Sequence, residues 1–158
     1  MKKTFFGTAI LLFAILIVNL HSGVTSAKGQ CNFFQTRSID LPSIGEDGYH
    51  DLSESDYNAD LSIVGKDKLY TNKWFRSNGD KKIYVDYNVK SNSEKSNMYV
   101  GLYSITKHKV VTESDALSVS TNSTKGTVTF MELNPAHKYV IYFRAHPKSV
   151  DGSVTIRH

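Results

Sequence analysis

The sequence predicts an all-β protein, a single antiparallel β-sandwich that follows a cleaved signal peptide. Three features carry that expectation. Apolar residues recur at every second position in short runs after Lys68, the pattern of strands with one face buried. Asn, Ser, Gly, Lys and Asp fill the segments between those runs, as turns require. No stretch after the leader has the three-to-four-residue apolar spacing of an amphipathic helix.

The chain opens with a positively charged start, Lys2 and Lys3. An apolar run from Phe5 to Leu20 follows, then a small, polar end closing on Thr25-Ser26-Ala27. That is the three-part pattern of a secretory signal, with the cut expected after Ala27. The apolar run is short for a membrane span, which needs about 20 residues. The leader resembles those of Gram-positive bacteria, and the expected destination is extracellular, with no membrane attachment after cleavage. Cys31 is the only cysteine, so no intramolecular disulfide can form and the fold must rest on its core. Lys28-Gly29-Gln30 before it does not match the small-residue pattern of a lipidation signal.

Charge divides the rest. Residues 28–67 form an acidic segment, rich in carboxylates from Asp40 to Asp67 and poor in periodic apolar residues. They read as a largely irregular N-terminal region. Within it Ile39 and Leu41, stopped by Pro42, offer one short edge strand. Leu61, Ile63 and Val64 offer another. Residues 68–158 form the sandwich domain. Lys82–Val89 alternates Ile83, Val85, Tyr87 and Val89 against Tyr84, Asp86 and Asn88. Met98–Ile105 is β-branched and aromatic. Lys109–Val111 and Leu117–Ser120 are shorter candidates. Gly126–Leu133 sets Val128 and Phe130 inward against Thr127 and Thr129. Tyr139–Ala145 is apolar almost throughout, and Ser153–Ile156 closes the chain.

Between two of these strands lies Leu133-Asn134-Pro135-Ala136-His137-Lys138-Tyr139. Leu133, Pro135 and Tyr139 resemble the E–F corner of fibronectin type III and related immunoglobulin-like sandwiches. The resemblance implies that the Tyr139 hydroxyl bonds back to the backbone and pins the crossing between the sheets. It also implies strands B and C at 82–89 and 98–105, and strands E, F and G at 126–133, 139–145 and 153–156. A jelly-roll sandwich, similar to the small β domains beside secreted bacterial proteases, is the alternative architecture.

Function is less legible. The formal charge is +4, and two of those charges, Lys2 and Lys3, belong to the leader. The remaining excess is too small for a nucleic-acid-binding face. Asp56, Asn58, Asp60 and Asp67 follow the 1, 3, 5, 12 spacing of a calcium loop, although Leu61 stands where such a loop has glycine. Calcium is the only cofactor the sequence suggests, and the plain alternative is a solvated acidic loop. The histidines form no metal-spaced pair, and no Gly-x-Ser-x-Gly elbow is present, so no catalytic residues are assigned. Trp74, Tyr84, Tyr99 and Tyr103 are the candidate binding residues. Aromatic rings on a sheet face stack on sugars or anchor a protein, and otherwise they are core. The expected function is a secreted binding or adhesion module for a cell-surface polymer, carbohydrate or protein. The alternatives are an exported antagonist, inhibitor or immunity protein, and a small hydrolase.

Overall fold

A computed structural model describes residues 32–33, 41 and 48–158. The leader, Cys31, Ile39 and most of the acidic segment lie outside the described residues. Two sheets face each other. Sheet A orders β1 (Asn32–Phe33), β2 (Tyr57–Ile63), β10 (Val150–Arg157), β4 (Ile83–Ser91) and β8 (Thr124–Phe130). Sheet B orders β3 (Leu69–Tyr70), β9 (Tyr139–His146), β5 (Ser96–Ser104) and β6 (Lys109–Glu113), with β7 (Leu117–Val119) also paired to β5. Every ladder is antiparallel except the short β1–β2 contact. Among the described residues no helix is long and apolar enough to cross a membrane.

Each strand read from the period-two pattern is present, shifted by a few residues at its ends. β4 buries Ile83, Val85 and Val89 and turns Tyr84, Asp86 and Asn88 outward. β8 buries Phe130 and half-buries Val128 against the core. β6 keeps both Val110 and Val111 exposed at the free edge of sheet B.

The acidic segment is not irregular over its last part. Tyr57, Ala59, Leu61 and Ile63 alternate into the core while Asn58, Asp60 and Ser62 face water. This strand, β2, pairs along its whole length with β10. The sandwich therefore begins before Lys68. The small inward Ala59 and the carboxylates flanking the strand concealed the alternation. The two-residue strand β3 was too short to register as a pattern.

β9 differs from its neighbours. Tyr139, Val140, Ile141, Tyr142 and Phe143 are all buried. Tyr139, Ile141 and Phe143 enter the main core between the sheets, and Val140 and Tyr142 enter a second apolar cluster on the outer side of sheet B. A continuous apolar run is what a strand covered on both faces requires.

The corner between β8 and β9 has the geometry expected for it. The Asn134 N–H donates to the Tyr139 hydroxyl oxygen at 3.0 Å, and that hydroxyl donates to the Asn134 carbonyl at 3.2 Å. Leu133 is buried beneath the turn, and Tyr139 exchanges both backbone bonds with Phe75. The chain thereby leaves sheet A and enters sheet B. The fibronectin-like order fails at the last strand. Strand G of that fold pairs with strand F, but β10 pairs with β2 and β4 in the opposite sheet. The reason is β2: its seven residues supply sheet A with an edge that β10 fills. Tyr139→Phe removes the hydroxyl and both of its bonds, a loss on the order of 1 kcal/mol. A lower urea midpoint with an unchanged slope is expected, and an unaltered midpoint would show that the corner bond contributes nothing.

Candidate functional site

The outer side of sheet B carries the densest array of aromatic and charged side chains among the described residues. It is built by two neighbouring strands in register. Tyr99 lies opposite Arg144, Gly101 opposite Tyr142, and Tyr103 opposite Val140. Side chains directly opposite each other on one face are in contact range. Gly101 is the exception that shapes the surface. A Cβ there would sit 2.0 Å from Cζ of Tyr142. With no side chain at 101, the Tyr142 ring crosses β5 and delivers its hydroxyl to β6.

There Tyr142 Oη donates to Glu113 Oε2 at 2.7 Å, and Arg144 Nε donates to the same oxygen at 3.0 Å. Arg144 Nη2 donates to Glu113 Oε1, which completes a bidentate ion pair. The hydrogen bond from Arg144 holds the Glu113 carboxyl below the usual carboxylate range, and the Tyr142 bond acts in the same direction. Burial first, and then Glu113, push the Tyr142 phenol well above its ordinary value, so it stays protonated and donates.

Cations lie on the rings. The Arg144 guanidinium is 3.8 Å from the Tyr99 centroid, and Lys68 Nζ is 4.3 Å from that of Tyr142. Further along, Trp74 has Lys138 Nζ at 4.8 Å and the Arg76 guanidinium at 5.5 Å. Tyr49 stacks on Trp74 with centroids 4.5 Å apart and is 39% exposed. Beneath these groups Tyr70, Trp74, Val140 and Tyr142 form the second apolar cluster, with Leu41, Tyr103 and Ile105 packed against it.

Three of the four aromatics singled out in the sequence come together here. Tyr99 and Tyr103 are half-buried on this face. Trp74 is only 4% exposed, so it supports the layer instead of offering a bare ring. Tyr84 is elsewhere, on the outer side of sheet A under the Arg157 guanidinium, which also bonds Asp86. Sequence reasoning missed Tyr142, Arg144, Glu113 and Lys68. One signal was readable: a glycine inside an apolar strand, as at Gly101, marks close approach by another group.

The four residues of the calcium-loop pattern lie along a strand and its flanking turns. Asp56 precedes β2, Asn58 and Asp60 lie on the outward side of that strand, and Asp67 follows in the next turn. Alternate strand positions are spaced about 6.5–7 Å apart along the chain, whereas calcium ligands converge within roughly 2.6 Å of the ion by wrapping a loop around it. Asn58 instead accepts a bond from Thr155 Oγ1 at 2.6 Å. Among the described residues no three His, Cys, Asp or Glu side chains are placed to hold a metal.

No family model and no curated protein matches the sequence. Solved structures resemble it more distantly. One is a GH115 4-O-methyl-α-glucuronidase, BtGH115A, described as specific for decorated arabinogalactans. The likeness has a TM-score of 0.47 and 11% identity, over 63% of this chain and 14% of that one. A CBM4 structure aligns with a TM-score of 0.45 and 10% identity, over 60% of this chain and 65% of that one. The apo form of the BiXyn10A CBM1 aligns at 0.37 and 11% identity, over 69% and 95%. This chain thus spans less than two thirds of the first two.

Two outcomes follow from this geometry. Gly101→Ala drives a methyl into the Tyr142 ring and is expected to destabilise by about 1–3 kcal/mol, measured by urea unfolding. Glu113 and Asp86 both have carboxyls held below their ordinary range by arginine hydrogen bonds. A depressed folded pKa adds stability that is full above the unfolded value of about 4 and is lost as pH falls through the folded one. Stability measured across acid pH is therefore expected to fall less steeply in Glu113→Gln than in the parent protein. Parallel acid limbs would refute the role given to this ion pair.

Proposed function

We propose that the protein is a secreted carbohydrate-binding module that holds an extended extracellular polymer along the outer side of sheet B. One observation carries the reading: Tyr99, Tyr103, Arg144, Glu113 and Lys68 gather on one face over a tightly packed aromatic layer. Sugars present C–H faces and rings of hydroxyls. Tyrosine rings with polar tips, a guanidinium and a carboxylate match both features. The concavities near and beside this face are open grooves, such as the one of about 280 Å³ lined by Lys66, Asp67, Lys68 and Tyr70. An open face suits a chain that extends past the protein in both directions. Export is supported by the leader, Lys2 to Ala27, which has the form of a cleavable signal.

The test is affinity electrophoresis of the purified protein against a panel of wall and plant polysaccharides. Tyr99→Ala and Tyr103→Ala are expected to weaken the best ligand at least about tenfold, the scale of 1.4 kcal/mol. Tyr84→Ala, on the opposite sheet, is expected to leave it unchanged. Loss with Tyr84→Ala alone would move the site to sheet A, and retention by no polysaccharide would refute the reading.

A further inference from the structure

Three of the rings on this face carry cations. Arg144 lies over Tyr99, Lys68 over Tyr142, and Arg76 and Lys138 over Trp74. A neutral sugar that stacks on an aromatic must displace whatever covers it. Here it would have to displace cations, whose attraction to a ring strengthens as water is excluded. The surface offered to a ligand is therefore a set of cationic heads on aromatic supports.

The carboxylates near the face offset Lys68 and Arg144 only in part. Glu113 is engaged by Arg144 and Tyr142, and Lys68 also lies within its electrostatic reach. Asp51 sits at the Tyr49 end and is bonded to Ser53. Asp67 adjoins Lys66 and Lys68 in the turn after β2. The cations are also spread out. Lys138 lies just before β9 and Arg144 six residues further along on its outward side, and six residues of strand span about 20 Å. That is a track, not a pocket.

We infer that the polymer held along sheet B is an anionic glycan, one that carries carboxylate or phosphate groups at intervals along its chain. This rests on the carbohydrate-binding reading above and adds the charge of the ligand to it. The anionic groups meet Lys68 and Arg144 while the intervening sugar backbone runs past Tyr99 and Tyr103. Nucleic acid fits less well, because the cations form a single stripe and Glu113 is bonded to one of them.

The experiment compares polygalacturonate with its fully methyl-esterified form, which keeps the backbone and removes the charge. Poly(glycerol phosphate) serves as the phosphate probe, and duplex DNA and anionic lipid vesicles as other polyanions. The purified protein is titrated with each by calorimetry at 50 and 300 mM salt. At least tenfold tighter binding of one anionic glycan than of the neutral ester is expected, with affinity falling as salt rises. Whether polygalacturonate or poly(glycerol phosphate) binds tighter identifies the anionic group. Lys68→Gln, an outer-face substitution that leaves the Arg144–Glu113 pair in place, is expected to weaken the charged polymer severalfold. Arg144→Lys keeps the charge and is expected to retain part of the affinity. Equal, salt-insensitive binding of acid and ester would overturn the charge inference and leave the carbohydrate reading standing. Binding of none of these polymers, together with no retention in the polysaccharide panel, would end both. Equal affinity for DNA or vesicles would overturn the assignment to a glycan.

Discussion

β9 has no polar face between Tyr139 and Phe143, and much of the molecule is arranged around that constraint. A strand with apolar residues on both sides must be covered twice. Sheet A covers the inner side, through Ile141 and Phe143. The outer side is covered by Tyr70, Trp74 and Tyr103, packed on Val140 and Tyr142. Large rings bury much area per residue and hold few rotamers. The outer layer is thus a second, thinner core. Its polar tips and neighbouring cations make up the candidate binding face, so the same strand that anchors the sandwich also fixes the geometry of the site.

The connections reinforce this. Tyr139 begins β9, lies in the main core, bonds the Asn134 backbone through its hydroxyl and bridges to Phe75. One residue, through its hydroxyl and its backbone, thus ties the sheet crossing to the segment that carries Trp74. At the other end of the fold, β2 and β10 pair along their full lengths although they lie near opposite ends of the described chain. Pairing so distant in sequence closes sheet A only after the whole domain has been made, and such topologies fold slowly. With one cysteine, outside the described residues, no intramolecular disulfide supports them.

The parts legible in the sequence were those governed by local periodicity. Ile83 to Val89 and Gly126 to Phe130 alternate because one side of each strand meets the core, and their facing was readable residue by residue. The corner was readable because Leu133, Pro135 and Tyr139 act within one turn. The pairing of β10 was not, since nothing within 150–157 states which edge it will meet. β2 hid because it lies inside a carboxylate-rich segment and carries Asn58, Asp60 and Ser62 outward, so composition outweighed period. At the site, Trp74, Tyr99 and Tyr103 were found by residue type, but type alone could not separate the supporting Trp74 from its more exposed neighbours or keep Tyr84 out of the set. Arg144, Glu113 and Lys68 depend on three strands lying in register, and no single strand announces that.

The spread of the cations bears on affinity. An exposed ion pair is worth at most about 1 kcal/mol in physiological salt, so one charged sugar held by Lys68 or Arg144 alone would bind weakly. Two features of the face work against that limit. Arg144 is held by two contacts to Glu113 and by the Tyr99 ring, so little of its freedom remains to be lost when a ligand arrives. And a repeating anionic chain, once held at one cation, meets the next at high effective concentration, so weak contacts accumulate along a track where they would not in a pocket. A face of this kind gains little from a monosaccharide and a good deal from its polymer.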